Sequence, residues 1–167
     1  MSHLPQPPPD ADERATLLGF LAHTRAVALR LVEDLDDDQA RHIGAPPLTS
    51  LLGTVKHLTD VELWWFQHVW AGTDPDLVST DDDLDADWHV LPDDTIEAVT
   101  ARYRAACDAN DELLRGGDLD APSARPSNRG HHVSLRWVGW HLVEETSRHN
   151  GQGDIIRQAI DGLTSID

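Results

Sequence analysis

The sequence predicts an all-α protein folded as a four-helix bundle, and three observations lead to that expectation. Four segments carry apolar residues recurring at intervals of three and four. The stretches between them are rich in Pro, Gly and Asp and nowhere alternate as a strand would. The chain has 167 residues, one domain on length, and can bury a core without staples.

The first segment runs from about Asp12 to Asp34, with Leu17, Leu21, Ala28, Leu31 and Leu35 on the helical spacing. Before it, Met1 to Asp10 is proline-rich and reads as a flexible tail of a single domain spanning 1–167; it lacks the basic start and apolar core of a signal peptide. The second segment begins after Pro46-Pro47, where Thr49 or Ser50 can cap it, and reaches about Ala71, before Gly72. The third starts at Asp93 or Asp94, both good N-caps, and runs to Arg115, where Gly116-Gly117 stops it. The fourth extends from near Ser134 to Asp161, with Gly162 as its C-cap. Four amphipathic helices bury their apolar stripes most simply as a bundle. The link from Gly72 to Pro92, and the one before Ser134, far exceed the usual length of about 4–6 residues. Links so long tend to be functional, and here they are expected to cross the bundle end and roof a site. Asp81-Asp82-Asp83 lacks the ligand spacing of an EF-hand loop and reads as a solvated acidic turn.

Composition narrows the function. Thirty acidic residues against thirteen basic ones give a formal charge of −17, which repels phosphate backbones and argues against a nucleic-acid partner. No stretch approaches the roughly 18 apolar residues of a membrane span, so a cytoplasmic protein is expected. Cys107 stands alone, which excludes an internal disulfide and a cysteine-cluster metal site; it reads as a small buried apolar residue.

The chemistry lies in the fourth segment. At about 100° per residue, Leu135, Val138, Leu142 and Ile156 define a stripe of roughly 60°. His141, Glu145 and His149 fall inside or beside it, at about 0°, 40° and 80°. A Glu-x-x-x-His pair also arises as a solvated helix-surface pair; its place in the apolar stripe favours a ligand, because an unpaired buried carboxylate costs several kcal/mol. His57, at the edge of the second segment's stripe, can face it. Two ligands one turn apart plus one from a facing helix is how bundles bind metals. His57, Glu145 and His149 are therefore the candidate ligands of one divalent ion, with zinc, nickel or ferrous iron suited to the set. His141 reads as core or as support for a ligand. His68, His89, His131 and His132 lie near loops or helix ends and read as solvated. Trp64, Trp65, Trp137 and Trp140 read as core packing or as an aromatic pocket wall. Arg25 and Glu62 each fall in the apolar stripe of their own helix, which predicts a buried ion pair.

Two stretches carry a resemblance. Ser50 to Phe66 (SLLGTVKHLTDVELWWF) and Leu135 to Asp154 (LRWVGWHLVEETSRHNGQGD) resemble the two signature segments of the DinB-like superfamily, closest to an actinobacterial branch. The likeness runs from Asp12-Glu13-Arg14 to Ile160-Asp161-Gly162. It implies a bundle in up-down-down-up order, a homodimer, and a metal on three helix residues. The usual pattern is one His on the second helix and His-x-x-x-His on the fourth; here His57 and His149 match, and Glu145 stands in place of the middle His. Relatives include mycothiol-dependent isomerases and thiol S-transferases, which implies a small thiol co-substrate. The expected function is a metal-dependent transferase joining a mycothiol-like thiol to a small electrophile, with zinc as the ion. Arg136 and Arg148 are candidates to meet a substrate carboxylate. The rivals are a non-catalytic metal-binding or stress-response bundle and a non-haem iron enzyme.

Overall fold

The computed structural model describes residues 4–44 and 49–166. The Pro46-Pro47 break and the tail's Met1–His3 lie outside them. Among the described residues the fold is all-α with no strand, and no helix is long and apolar enough to cross a membrane.

Helix α1 (Glu13–Arg30) starts at Asp12, whose carboxylate accepts from Ala15 N–H. It ends before the expected Asp34 because the chain reverses there, with Asp34 at φ 61°, a left-handed turn that Asp tolerates. A five-residue helix, α2 (Asp37–Arg41), follows behind the reciprocal Asp36–Gln39 capping box. Helix α3 (Leu51–Glu62) is capped by Ser50 and continues as a π-helical segment, Leu63–Trp70, in which Ala71 N–H donates to Phe66 O. Helix α4 (Ile96–Gly116) is capped by Thr95 rather than by Asp93 or Asp94. The Asp94 carboxylate is engaged instead by Lys56 Nζ and Leu91 N–H. Helix α5 (Leu135–Asp161) runs from the Ser134 cap to Gly162, which takes φ 82° as the expected C-cap.

The four long helices pack α1 on α5, α3 on α4, and α3 on α5. At the α1–α5 seam, Gly139 meets Leu17 and Gly153 meets Leu31 so closely that a Cβ would sit 2.6 and 2.5 Å from leucine methyls. The core divides into two apolar clusters. One gathers Leu31, Leu51, Leu58, Tyr103 and Ile156; the other gathers Leu17, Leu21, Phe66, Leu114 and Leu142. Between them on each helix lie buried polar residues: Arg25, Glu62, Asn110, Thr146, His149 and Asn150. This waist holds both polar clusters described below.

The link after the π segment is stapled to α3. Gly53, Lys56, His57 and Asp60 occupy one face of α3 at spacings of three and four. A Cβ at Gly53 would stand 2.9 Å from Trp88 O. Lys56 Nζ donates to His89 O at 2.8 Å and to Asp94 Oδ2 at 2.7 Å. Asp60 Oδ2 accepts from the N–H groups of Val78 and Ser79, each at 2.8 Å. We call residues 76–94 the strap. Its Asp81-Asp82-Asp83 turn is exposed, as an acidic turn should be.

Candidate metal centre

His57 leaves α3 toward α5 because its neighbours Lys56 and Asp60 hold the strap, which brings Asp87 and Trp88 over it. Asp87 Oδ2 lies 2.7 Å from His57 Nδ1, and Trp88 stacks on the imidazole at 4.1 Å. A carboxylate beside Nδ1 holds the proton on that nitrogen and leaves the Nε2 lone pair available. On α5, Glu145 and His149 stand one turn apart, with Glu145 Oε1 at 3.1 Å from His149 Nε2. The His57 and His149 rings are 4.9 Å apart, edge to face. One donor atom from each of His57, Glu145 and His149 lies within 4.8 Å of the others. The structure thus brings the three expected ligands together.

The electrostatics suit a cation. The hydrogen bond with His149 holds the Glu145 carboxyl down at about 2; burial works the other way, and the Arg148 guanidinium adds to the lowering. Arg148 grips both carboxylate oxygens, at 2.7 and 2.6 Å. His149 Nδ1 is buried without a hydrogen-bond partner, as is Asp87 Oδ1. Buried polar atoms are rarely left so, and the donor set itself, two imidazoles and a carboxylate, fits a divalent metal.

A cleft of about 860 Å³ opens beside the ligands. Glu145, Trp64, Trp65, Trp137 and His141 form its wall, and residues 127–129 and 131–134 form its rim. Three of the four tryptophans expected as a possible wall are therefore on it, while Trp140 packs toward Phe20 on the outer surface. His141 sits between Trp65 and Trp137, at 4.6 and 4.8 Å, and burial lowers its pKa, which favours the neutral ring. Arg136 is engaged by Glu13 and Asp120 and does not line the cleft. His131 and His132 do line it.

The chain matches the family described as Mycothiol-S-transferase over residues 16–162. It belongs to the mycothiol-S-transferase family, a DinB-like family. No match was found among curated proteins. Family membership and the helical fold agree with the resemblance carried by the two signature segments.

Sequence reasoning missed Asp87 and the cleft rim. Asp87 lies in a link dense with aspartates, where one more acid reads as solvated surface. Its signal was the adjacent Trp88, the one aromatic residue in an aspartate-rich run.

Proposed function

We propose that this mycothiol-S-transferase family member is a metal-dependent enzyme joining a low-molecular-weight thiol of the mycothiol kind to a small electrophile. The observation that carries the reading is Glu145, which belongs to the three-donor cluster and to the wall of the open cleft at once. A purely structural metal site closes its shell, whereas a catalytic one keeps a position facing the substrate. His57, Glu145 and His149 would hold the ion. When bound, a divalent ion supplies Lewis acidity that favours thiolate over thiol at neutral pH.

The remaining roles belong to the chain. Asp87 keeps the His57 proton at Nδ1, and Arg148 fixes the Glu145 carboxylate. Trp88 covers the imidazoles and keeps water from that side. Trp65, Trp137 and the neutral His141 present flat faces on which an electrophile can lie. The thiol sulfur supplies the electron pair of the new S–C bond, its proton passes to solvent, and the electrophile's leaving group departs with its own bonding pair. Zinc as the ion, a homodimer, the up-down-down-up helix order and a cytoplasmic location complete the reading. Two histidines and one carboxylate also suit ferrous iron, so the ion must be measured.

The test is elemental analysis of the purified protein, followed by conjugation of a thiol to chlorodinitrobenzene. Wild type is expected to hold about one divalent ion per chain, and His149→Ala to lose both ion and conjugation. A protein that cannot be loaded with metal overturns the site; a loaded protein that conjugates no thiol points to a binding module.

A further inference from the structure

The cleft is lined on one side by aromatic faces and crossed on the other by a single arginine. Among the described residues, Arg129 is the one basic side chain with neither a hydrogen-bond nor an ion-pair partner. Arg25, Arg115, Arg125, Arg136, Arg148 and Arg157 are held by carboxylates, and Lys56 by Asp94 and His89 O. Arg14 and Arg41 donate to backbone carbonyls, as does Arg30; Arg104 bonds Thr100, and Arg102 lies near Asp60. Arg14, Arg41 and Arg104 also lack an acid, but each has a carbonyl or hydroxyl to bond; Arg129 has none of these.

Its position is built. Gly130 N–H donates to Ser127 O at 2.8 Å, and Ser127 N–H donates to His131 O at 2.9 Å. These bonds close a tight turn with Arg129 before Gly130, whose φ of 76° is left-handed and suits glycine. The turn forms the rim of the cleft that holds Trp64, Trp65, Trp137, His141 and Glu145. Arg129 and His141 both line that space. Of the two acids in the lining, Glu145 is taken by Arg148 and His149, and the Glu144 side chain is 61 % exposed and close to His141.

We propose that Arg129 is a specificity-determining residue, and that the cleft selects a flat, conjugated electrophile bearing a carboxylate or similar anion. The guanidinium binds the anion, and the tryptophan and histidine faces take the planar body. The choice of an acid as electrophile rests on the transferase reading; the anion subsite itself does not.

Two measurements separate the claims. In the first, para-nitrobenzoate and its neutral analogue para-nitrobenzamide are titrated against the metal-loaded protein, and quenching of tryptophan fluorescence reports binding. Wild type should favour the acid; Arg129→Ala should weaken acid binding about tenfold and leave the amide unchanged, with Arg129→Lys between. In the second, kcat/KM for thiol conjugation is compared between chlorodinitrobenzoate and chlorodinitrobenzene, and Arg129→Ala should lower only the former. Acid binding undiminished in Arg129→Ala, binding through the metal included, overturns the subsite. Absence of conjugation in wild type, with the Arg129-dependent preference for para-nitrobenzoate intact, overturns the transferase reading and supports the subsite.

Discussion

Two polar clusters share the waist of this bundle, one on α1, α3 and α4 and the other on α3 and α5. In the first, Arg25 donates to both oxygens of Glu62, at 2.6 and 2.8 Å, and to Asp111 at 2.6 Å. Asn110 Nδ2 completes the set by donating to Glu62 Oε2 and Glu62 O. Arg25 and Glu62 are 5 % and 0 % exposed, the ion pair their helical positions predict. Every charge there is answered within the chain. In the second cluster, His149 Nδ1 and Asp87 Oδ1 are buried with nothing to bond, and the wall opens on a cleft. The first cluster satisfies itself, while the second leaves buried polar atoms over beside an open cleft. Burial alone does not separate them, since His149 is 6 % exposed and as deep as Arg25.

The sharpest way to break that contrast is to unbalance the closed cluster. Arg25→Met strands a buried carboxylate and is expected to cost about 3–5 kcal/mol in chemical denaturation. Arg25→Met with Glu62→Leu should recover much of the loss, because no buried charge is left. A single variant as stable as wild type would mean that Glu62 finds another cation.

The open cluster should respond in affinity. Asp87→Asn keeps shape but removes the carboxylate that fixes the His57 proton, and is expected to weaken zinc binding about 10–100-fold in chelator competition. Stability of the metal-free protein should change far less than in Arg25→Met. An unaltered zinc affinity would show that His57 needs no support from the strap.

The smallest effect is at the strap's anchor. Burial alone raises the Asp94 pKa, but hydrogen bonds from Lys56 and Leu91 N–H outweigh it and leave the carboxyl below its ordinary 3.8. A depressed pKa adds stability above the unfolded value that is lost as pH falls through the folded one. Asp94→Asn should therefore cost about 1 kcal/mol at neutral pH, and the gap to wild type should close in acid below the ordinary carboxylate range. Urea melts across that range check it; a gap that persists in acid would assign the loss to shape.

How far the sequence disclosed this arrangement depends on the range of each signal. Helix ends written in a few adjacent residues were legible: Ser50 and Gly162 cap as expected, and the first and fourth helices start behind Asp12 and Ser134, where those segments were expected to begin. The third helix began one residue late because Asp94 is drawn to Lys56, a partner 38 positions away that no local rule can see. Helix α2 is too short for periodicity, and only the Asp36–Gln39 spacing announced it. The π-helical turns of Leu63–Trp70 have no counterpart in a pattern read at a fixed angle per residue. The three candidate ligands were legible because polar residues in an apolar stripe are a local anomaly. Asp87 and Arg129 were not, because their meaning comes from what the links fold against.

The leucine–glycine seam between α1 and α5 sets different mutational tolerances on the two sides of the site. At Gly139 and Gly153 any side chain would push on the buried Leu17 or Leu31, so the stretch of α5 bearing Glu145 and His149 is backed by a close-packed seam that must shift to admit change. The turn at 127–130 keeps Gly130 for its left-handed φ, but the Asn128 and Arg129 side chains before it are exposed. Drift can therefore rewrite the rim of the cleft, and with it the molecules admitted, while the ligand-bearing helix stays in register. A bundle so divided can change what its cleft admits without disturbing the three-donor cluster on its helices.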